Sequence, residues 1–269
     1  MLIGIVGWTR RAGVALVKRS ALLLAAMVAC AGIRAEAGIV SLGTAQSFAV
    51  LGSAAVTNTG PSAIFGNLGV APGSSITGFP PGIVTGGSIR VNDAVANQAH
   101  ADAATAYTAL AGLPVTQDLS GQGLGGRTLP PGVYFFSSSV LLNGTLTLDG
   151  QGQPDPHFVF QIGSTITTGS ASAIVPINGA KADNVFFQVG SSATLGTGTT
   201  FVGTIIALAS STTTTGTGAS VNGRVIALNG AVTLDSNAIT LPQSVPEPGI
   251  SVGLSMLGLL CCRRRCRPS

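Results

Sequence analysis

Residues Phe186–Gly196 read FFQVGSSATLG. The same pattern stands at Val159–Gly169 (VFQIGSTITTG), Ile206–Gly216 (IALASSTTTTG) and Ile226–Ser236 (IALNGAVTLDS). Successive starts are 27, 20 and 20 residues apart, and the first step is longer because Ile174–Asn184 intervenes. Shorter cousins are Val133–Ser137 (VYFFS) and Phe48–Ser53 (FAVLGS). A period near 20, with β-branched residues, Gly turns and no Pro within the strands, is the pattern of a β-solenoid. Twenty residues make three short strands and three turns, one coil of a parallel β-helix with a triangular cross-section. Neighbouring coils then stack about 4.8 Å apart, the ordinary interstrand spacing.

Strand alternation sorts the side chains of each coil into inward and outward sets. In Ser164-Thr165-Ile166-Thr167, Ile166 faces the core, while Thr165 and Thr167 face out. One coil on, Ala193 and Leu195 face in, while Ser192 and Thr194 face out. The next coil turns out Thr212 and Thr214. In the last coil Val232 and Leu234 read as buried and Thr233 as exposed, a register shifted against the coil before. Thr213 and Thr215 would then point inward, where an apolar residue is usual. Stacking aligns the outward residues into two ranks of hydroxyl-and-methyl side chains, with β-branching restricting their rotamers. The plain alternative is that Thr and Ser merely fill the outer positions of a solenoid.

One segment breaks the repeat. Asn92–Ala111 places Val95, Ala99, Ala103, Ala106 and Leu110 at helical spacing. Asn92 reads as the N-cap, and Gly112 with Pro114 stops the helix. Its apolar stripe must lie on a sheet face or cap an end. Leu113–Arg127 reads as loop, and Leu129-Pro-Pro-Gly-Val-Tyr134 re-enters the sheet.

Charge is scarce and misplaced for a nucleic-acid partner. Only 8% of the 269 residues are charged, against about 25% in an ordinary soluble domain. The net charge of +4 comes from the ends. Between Gly38 and Ser244 there are four basic residues and seven aspartates, so no clustered basic face exists there. The apolar content of 45% is dispersed, and no run approaches the roughly 18 uninterrupted apolar residues of a spanning helix.

The ends read as processing signals. Scattered positive charge precedes the apolar stretch Ala21–Ile33, and Ala35-Glu36-Ala37 is an A-x-A cleavage site. Residues 1–37 therefore read as a secretory signal peptide. At the other end, Pro246-Glu247-Pro248 is followed by apolar Ile250–Cys262 and then Arg263-Arg264-Arg265-Cys266-Arg267. This order closely resembles the bacterial PEP-CTERM sorting tail. The resemblance implies transient inner-membrane retention through residues 245–269 and cleavage near Pro246, Glu247 and Pro248 by an exosortase. The product would be secreted or held at the surface of a Gram-negative bacterium. All four cysteines lie in these end segments, so the domain at residues 38–244 has no disulfide and no thiolate site.

Catalytic and cofactor chemistry finds little support. His100 sits within the helical pattern and His157 follows Asp155-Pro156, and neither has metal-ligand or nucleophile spacing. Gly121–Gly126 matches G-x-G-x-x-G, but Thr-Leu-Pro-Pro-Gly follows rather than a helix to receive a pyrophosphate. Asp149–Asp155 lacks calcium-loop spacing and reads as a turn. The expectation is a non-enzymatic domain with no metal and no cofactor.

A flat, uncharged rank of Thr can hold an ordered water layer, the methyls caging waters that the hydroxyls anchor. Its natural target is ice. The chain resembles the microbial ice-binding (antifreeze-like) protein family with a discontinuous β-solenoid. The resemblance runs from Leu42 to about Leu241. It rests on Leu42–Gly52 (LGTAQSFAVLG), Gly66–Gly73 (GNLGVAPG), Thr77–Gly82 (TGFPPG), Leu129–Tyr134, Phe158–Ser164, Asn184–Gly198 and Val221–Arg224. It implies a right-handed β-helix with one long helix alongside, and N-terminal strands that stack out of sequence order among later coils. It also implies ice binding through a flat Thr/Ser/Ala-rich face without a fixed motif. The candidate face is Thr165, Thr167, Ser192, Thr194, Thr212, Thr214 and Thr233. A surface adhesin or exopolysaccharide-binding module is the alternative on the same fold, because the sorting tail accompanies exopolysaccharide production. A sugar binder would want exposed aromatics, and the single Trp lies in the signal peptide.

Overall fold

The computed structural model describes residues 40–208, 213–215 and 217–242. They form three stacks of short parallel strands, one α-helix and two short 3-10 turns. Face a runs β8 (Gln117–Asp118), β10 (Gly132–Phe136), β13 (Phe158–Ile162), β16 (Val185–Val189), then the second halves of β18 (Thr200–Ala207) and β20 (Ser220–Ala227), then β1 (Phe48–Gly52), β4 (Asn67–Val70) and β7 (Ile89–Val91). Face b runs β11 (Val140–Leu142), β14 (Ile166–Thr168), β17 (Ala193–Leu195), β19 (Thr213–Thr215), β21 (Val232–Leu234), β2 (Ala55–Asn58) and β5 (Ser75–Thr77). Face c runs β9 (Thr128–Leu129), β12 (Thr145–Asp149), β15 (Ala173–Ile177), the first halves of β18 and β20, then β22 (Ala238–Thr240), β3 (Ala63–Phe65) and β6 (Ile83–Thr85).

The first strands of the sequence stack beyond the last. β1 pairs with β20, β2 with β21 and β3 with β22. Residues 48–91 thus complete one end of the solenoid, although they come first in the chain. β18 and β20 each pass from face c to face a without a break, turning on the paired Gly203 and Gly223. These have φ of +120° and +158°, and a Cβ on Gly223 would meet the Gly203 carbonyl oxygen at 1.8 Å. Only Gly fits there.

The apparent register shift in the last coil has a simple cause. Ile206 pairs with Ile226, but Thr213 pairs with Val232. The segment 208–212 has one residue more than 228–231, which accounts for the one-residue offset between the two pairings. Thr214 is therefore opposite Thr233, and Thr213 and Thr215 stand in register with buried Val232 and Leu195.

An aromatic ladder fills the interior. Tyr134, Phe160, Phe187 and Phe201 follow one another at ring-centroid distances of 5.4, 4.5 and 4.8 Å. Each fully buried Phe contributes about 1.5–3 kcal/mol by leaving water. Inward polar groups are paired where they occur. Thr168 Oγ1 lies 2.8 Å from Thr199 Oγ1, and the Asn58 amide donates to the Gly60 and Gly78 carbonyls. Such pairing removes the cost of burying them.

Helix α1 spans Ala94–Ala111. Its N-cap is Asp93, whose carboxylate accepts from the Ala96 N–H at 2.7 Å, and not Asn92 as the sequence suggests. Asn92 has φ +47° and lies one residue outside. Val95 is also exposed rather than part of the stripe. The buried stripe is Ala96, Ala99, Ala103, Ala106, Tyr107 and Leu110, against Leu51, Val133, Val159, Phe186, Ile206 and Ile226 of face a. Small Ala side chains allow that close approach. Gln161 of β13 donates to the Leu110 and Leu113 carbonyls, meeting carbonyls that the helix end leaves open. Face a is thereby covered. The expected loop after Leu113 is in part structure. It contributes β8, and its Leu119 and Leu124 are buried at the end of the core.

Arg224 ties the N-terminal turn to the solenoid. It is 3% exposed, and its Nη1 lies 3.1 Å from Asp183 while Nε donates to the Gln46 carbonyl. Burial pulls the guanidinium pKa down, and the Asp183 charge opposes that shift.

Candidate binding face

Faces b and c remain open, and their outward ranks differ. On face b the pairings place Leu141, Thr167, Thr194, Thr214, Thr233, Thr57 and Thr77 side by side. Six consecutive coils present Thr at one register position. Beneath it Ile166, Ala193, Leu195, Val232, Leu234 and Val56 are fully buried, so the rank stands on a close-packed floor. A second row two residues earlier holds Ser139, Thr165, Ser192, Ala231, Ala55 and Ser75. Thr165 Oγ1 donates to Ser139 Oγ at 2.8 Å, and Thr57 Oγ1 donates to Thr233 Oγ1 at 3.3 Å. Strand geometry puts the two rows roughly 6.6 Å apart, with about 4.8 Å between coils. No strand of face b contributes a charged or aromatic side chain.

Face c is flat in backbone but mixed in chemistry. One outward row is Thr145, Ala173, Thr200, Ser220, Ala238, Ala63 and Ile83. The other carries exposed Val175 and Phe65 among Thr147, Asn222 and Thr240, and Val202 is buried at the glycine corner. Asp149 adds a carboxylate beside Ile177. The Gln151 N–H and the Asn178 amide hold its pKa below the usual carboxylate range.

Of the residues singled out by sequence, Thr167, Thr194, Thr214 and Thr233 share one rank. Thr165 and Ser192 lie in the neighbouring row, and Thr212 lies outside the described residues, as do Pro246, Glu247 and Pro248. Sequence reasoning missed Thr57 and Thr77. Val56-Thr57-Asn58 and Ser75-Ile76-Thr77 alternate like the other face-b strands, but only the stacking of β2 on β21 adds them to the rank.

The remaining polar clusters are engaged structurally. His100 Nε2 lies 2.7 Å from the Leu228 carbonyl oxygen, fixing α1 to face a. His157 Nε2 lies 3.4 Å from Asp155, whose other oxygen accepts from Asn184. Arg127 donates to the Gly123 carbonyl, so the glycine-rich loop folds around its own side chain. Among the described residues no group of three or more His, Cys, Asp or Glu is placed to hold a metal ion.

Comparison with known proteins places this geometry. A family model described as ice-binding-like matches residues 50–240. The chain belongs to that family. Within it, an ice-binding protein of Nostoc sp. (strain HG1) is 54% identical over 255 residues, covering 91% of this chain and 94% of that one. Ice-binding protein 1 of Shewanella frigidimarina (strain NCIMB 400) is 37% identical over 74% of this chain, which spans 26% of that longer protein. Among solved structures, the ice-binding protein of the Antarctic ascomycete Antarctomyces psychrotrophicus superposes with a TM-score of 0.73. It is 46% identical, covering 77% of this chain and all of that one.

Proposed function

We propose that this chain is an exported ice-binding protein that adsorbs to ice through face b and inhibits ice growth or recrystallisation. The observation that carries the reading is the rank of Thr on six adjacent coils, uncharged and backed on β14, β17, β21 and β2 by fully buried side chains. β-branched side chains on a paired backbone have few rotamers to lose when they meet a solid. Their hydroxyls anchor waters and their methyls exclude others, so the layer against the protein is already ordered before contact. A charged side chain would bind its own hydration shell and disturb that layer.

In the same reading, residues 1–37 are removed on export, residues 38–244 are the working domain and residues 245–269 are a sorting tail cut at Pro246-Glu247-Pro248. An adhesin or exopolysaccharide role fits face b poorly, because its strands offer no aromatic platform for a sugar ring.

The test is ice recrystallisation inhibition and thermal hysteresis of the purified protein beside Thr167→Tyr and Thr194→Tyr. Activity in the parent and its loss in both variants is expected. Full activity in both variants moves the site off face b. An inactive but folded parent ends the ice reading and favours the adhesin.

A further inference from the structure

The two ends of the solenoid are built differently. At the β8–β9–β11 end the core is closed, with Leu119 and Leu124 buried beneath a loop that Arg127 pins through Gly123 and Gln122. At the other end β5, β6 and β7 each have a paired neighbour on one side only. The core there ends on Ile76, Phe79 and Val84, which pack against it and stay partly exposed. Ile89 and Val91 pair with Leu68 and Val70, which are 0% exposed, yet they are themselves 46% and 45% exposed. Ile83 and Phe65 on the adjoining rim are 58% and 44% exposed. The one ionic pair in this coil is Arg90 with Asp93, at 3.2 Å. The end is therefore apolar and close to electrically neutral, the kind of contiguous patch that marks a contact surface.

The course of the chain indicates what it touches. After β22, the Leu241 N–H donates to the Phe65 carbonyl, and the Leu241 side chain lies against Gly66. Pro242 thus leaves the fold two strands from the open end along face c, and five strands from the closed end. The apolar stretch Ile250–Cys262 begins after only residues 243–249. Seven residues span at most about 25 Å, against about 10 Å from β22 to the open end and about 24 Å to the closed end. A bilayer that held Ile250–Cys262 would meet the open end with slack to spare, and the closed end only with the linker fully extended.

We propose that the open end is a lipid-contacting surface, seated on the membrane that holds the tail. The proposal rests on the sorting-tail reading. Phe65, Ile83, Ile89 and Val91 enter the acyl boundary, while the unpaired strand edges stay at headgroup level, where water meets their N–H and C=O groups. Face b runs along the stack and stays free. Because the patch lacks net charge, the contact is indifferent to salt and to anionic lipid.

The experiment reconstitutes residues 38–269, the chain without its signal peptide and therefore without Trp8, into phosphatidylcholine vesicles brominated along the acyl chains. Ile83→Trp reports on the open end and Gln122→Trp on the closed end, and both positions are exposed. The expected result is that both variants float with the vesicles, that Ile83→Trp emission is quenched roughly two-fold and shifted to the blue, and that Gln122→Trp is unchanged. High salt leaves the quenching in place, and deleting residues 250–262 abolishes it. Flotation without quenching at position 83 overturns the proposal and leaves the tail reading intact. Failure to float, or equal quenching after the deletion, removes the tail as the anchor and the proposal with it. A blue-shifted Ile83→Trp without lipid, together with a doubled mass in sedimentation, assigns the end to a second copy of the chain and overturns the lipid contact.

Discussion

Faces b and c share a backbone and differ in what they present. Both are stacks of short parallel strands on a common core, and both are nearly free of charge. On face b the same register position carries Thr through six coils. On face c it alternates between Thr, Ala and Ser and ends in Ile83, and the second row is interrupted where Gly203 and Gly223 turn the corner and Val202 sinks into the core. Flatness is thus a property of the solenoid, whereas a continuous hydration pattern is a property of one rank of side chains. If continuity is what binds ice, substitutions of equal size on the two faces have unequal effects.

The largest such effect is expected from Thr57→Tyr set against Ala63→Tyr. The two positions are six residues apart in sequence, on β2 and β3, and face different sides. Thr57→Tyr raises a ring out of the rank and removes most of the recrystallisation inhibition, while Ala63→Tyr leaves it intact. Loss in both variants would mean that face c also contacts ice.

A second pair separates the floor from the face. Ile166→Ala empties the core beneath face b, and Ile174→Ala does so beneath face c. Each costs about 2–5 kcal/mol of stability, the usual range for such a truncation, and lowers the denaturant midpoint to a similar extent. At equal folded fraction, only Ile166→Ala reduces ice activity, because only there does the floor support Thr167. Equal activity in the two would show that the rank does not depend on its backing.

The solenoid was legible in the 20-residue period, because each coil repeats the same inward choices, such as Ile166, Ala193 and Val232. The rank on β14, β17, β19 and β21 was legible for the same reason. Thr57 and Thr77 were not, because their neighbours are set by topology: Thr57 lies against Thr233, 176 residues away. Asp93 displaced Asn92 as the cap because Asn92 takes a left-handed turn into the helix. The segment after Leu113 looked like plain loop because its polar residues and glycines mask Leu119 and Leu124, two isolated core residues that close an end. Period reveals what repeats, and end caps and out-of-order strands do not repeat.

The smallest effect is the response to pH, and it too divides the faces. Face b contributes no titratable side chain from its strands, whereas Asp93, Asp102 and Asp149, which brace other parts of the fold, are held below their ordinary pKa. Asp93 and Asp102 accept backbone N–H bonds from Ala96 and Thr44, and Asp149 accepts one from Gln151. A carboxylate with a folded-state pKa below its unfolded value contributes stability above that unfolded value, near pH 4. It loses this contribution as pH falls through the folded-state value. The thermal midpoint is therefore expected to be level from neutral pH down to about pH 5 and to drop below pH 4. These groups are only half-buried, so the drop is modest. Ice activity per folded molecule stays constant across the same range. A fall in activity that precedes the fall in midpoint would place a carboxylate at the ice contact, and Asp149 would bring face c back into the site.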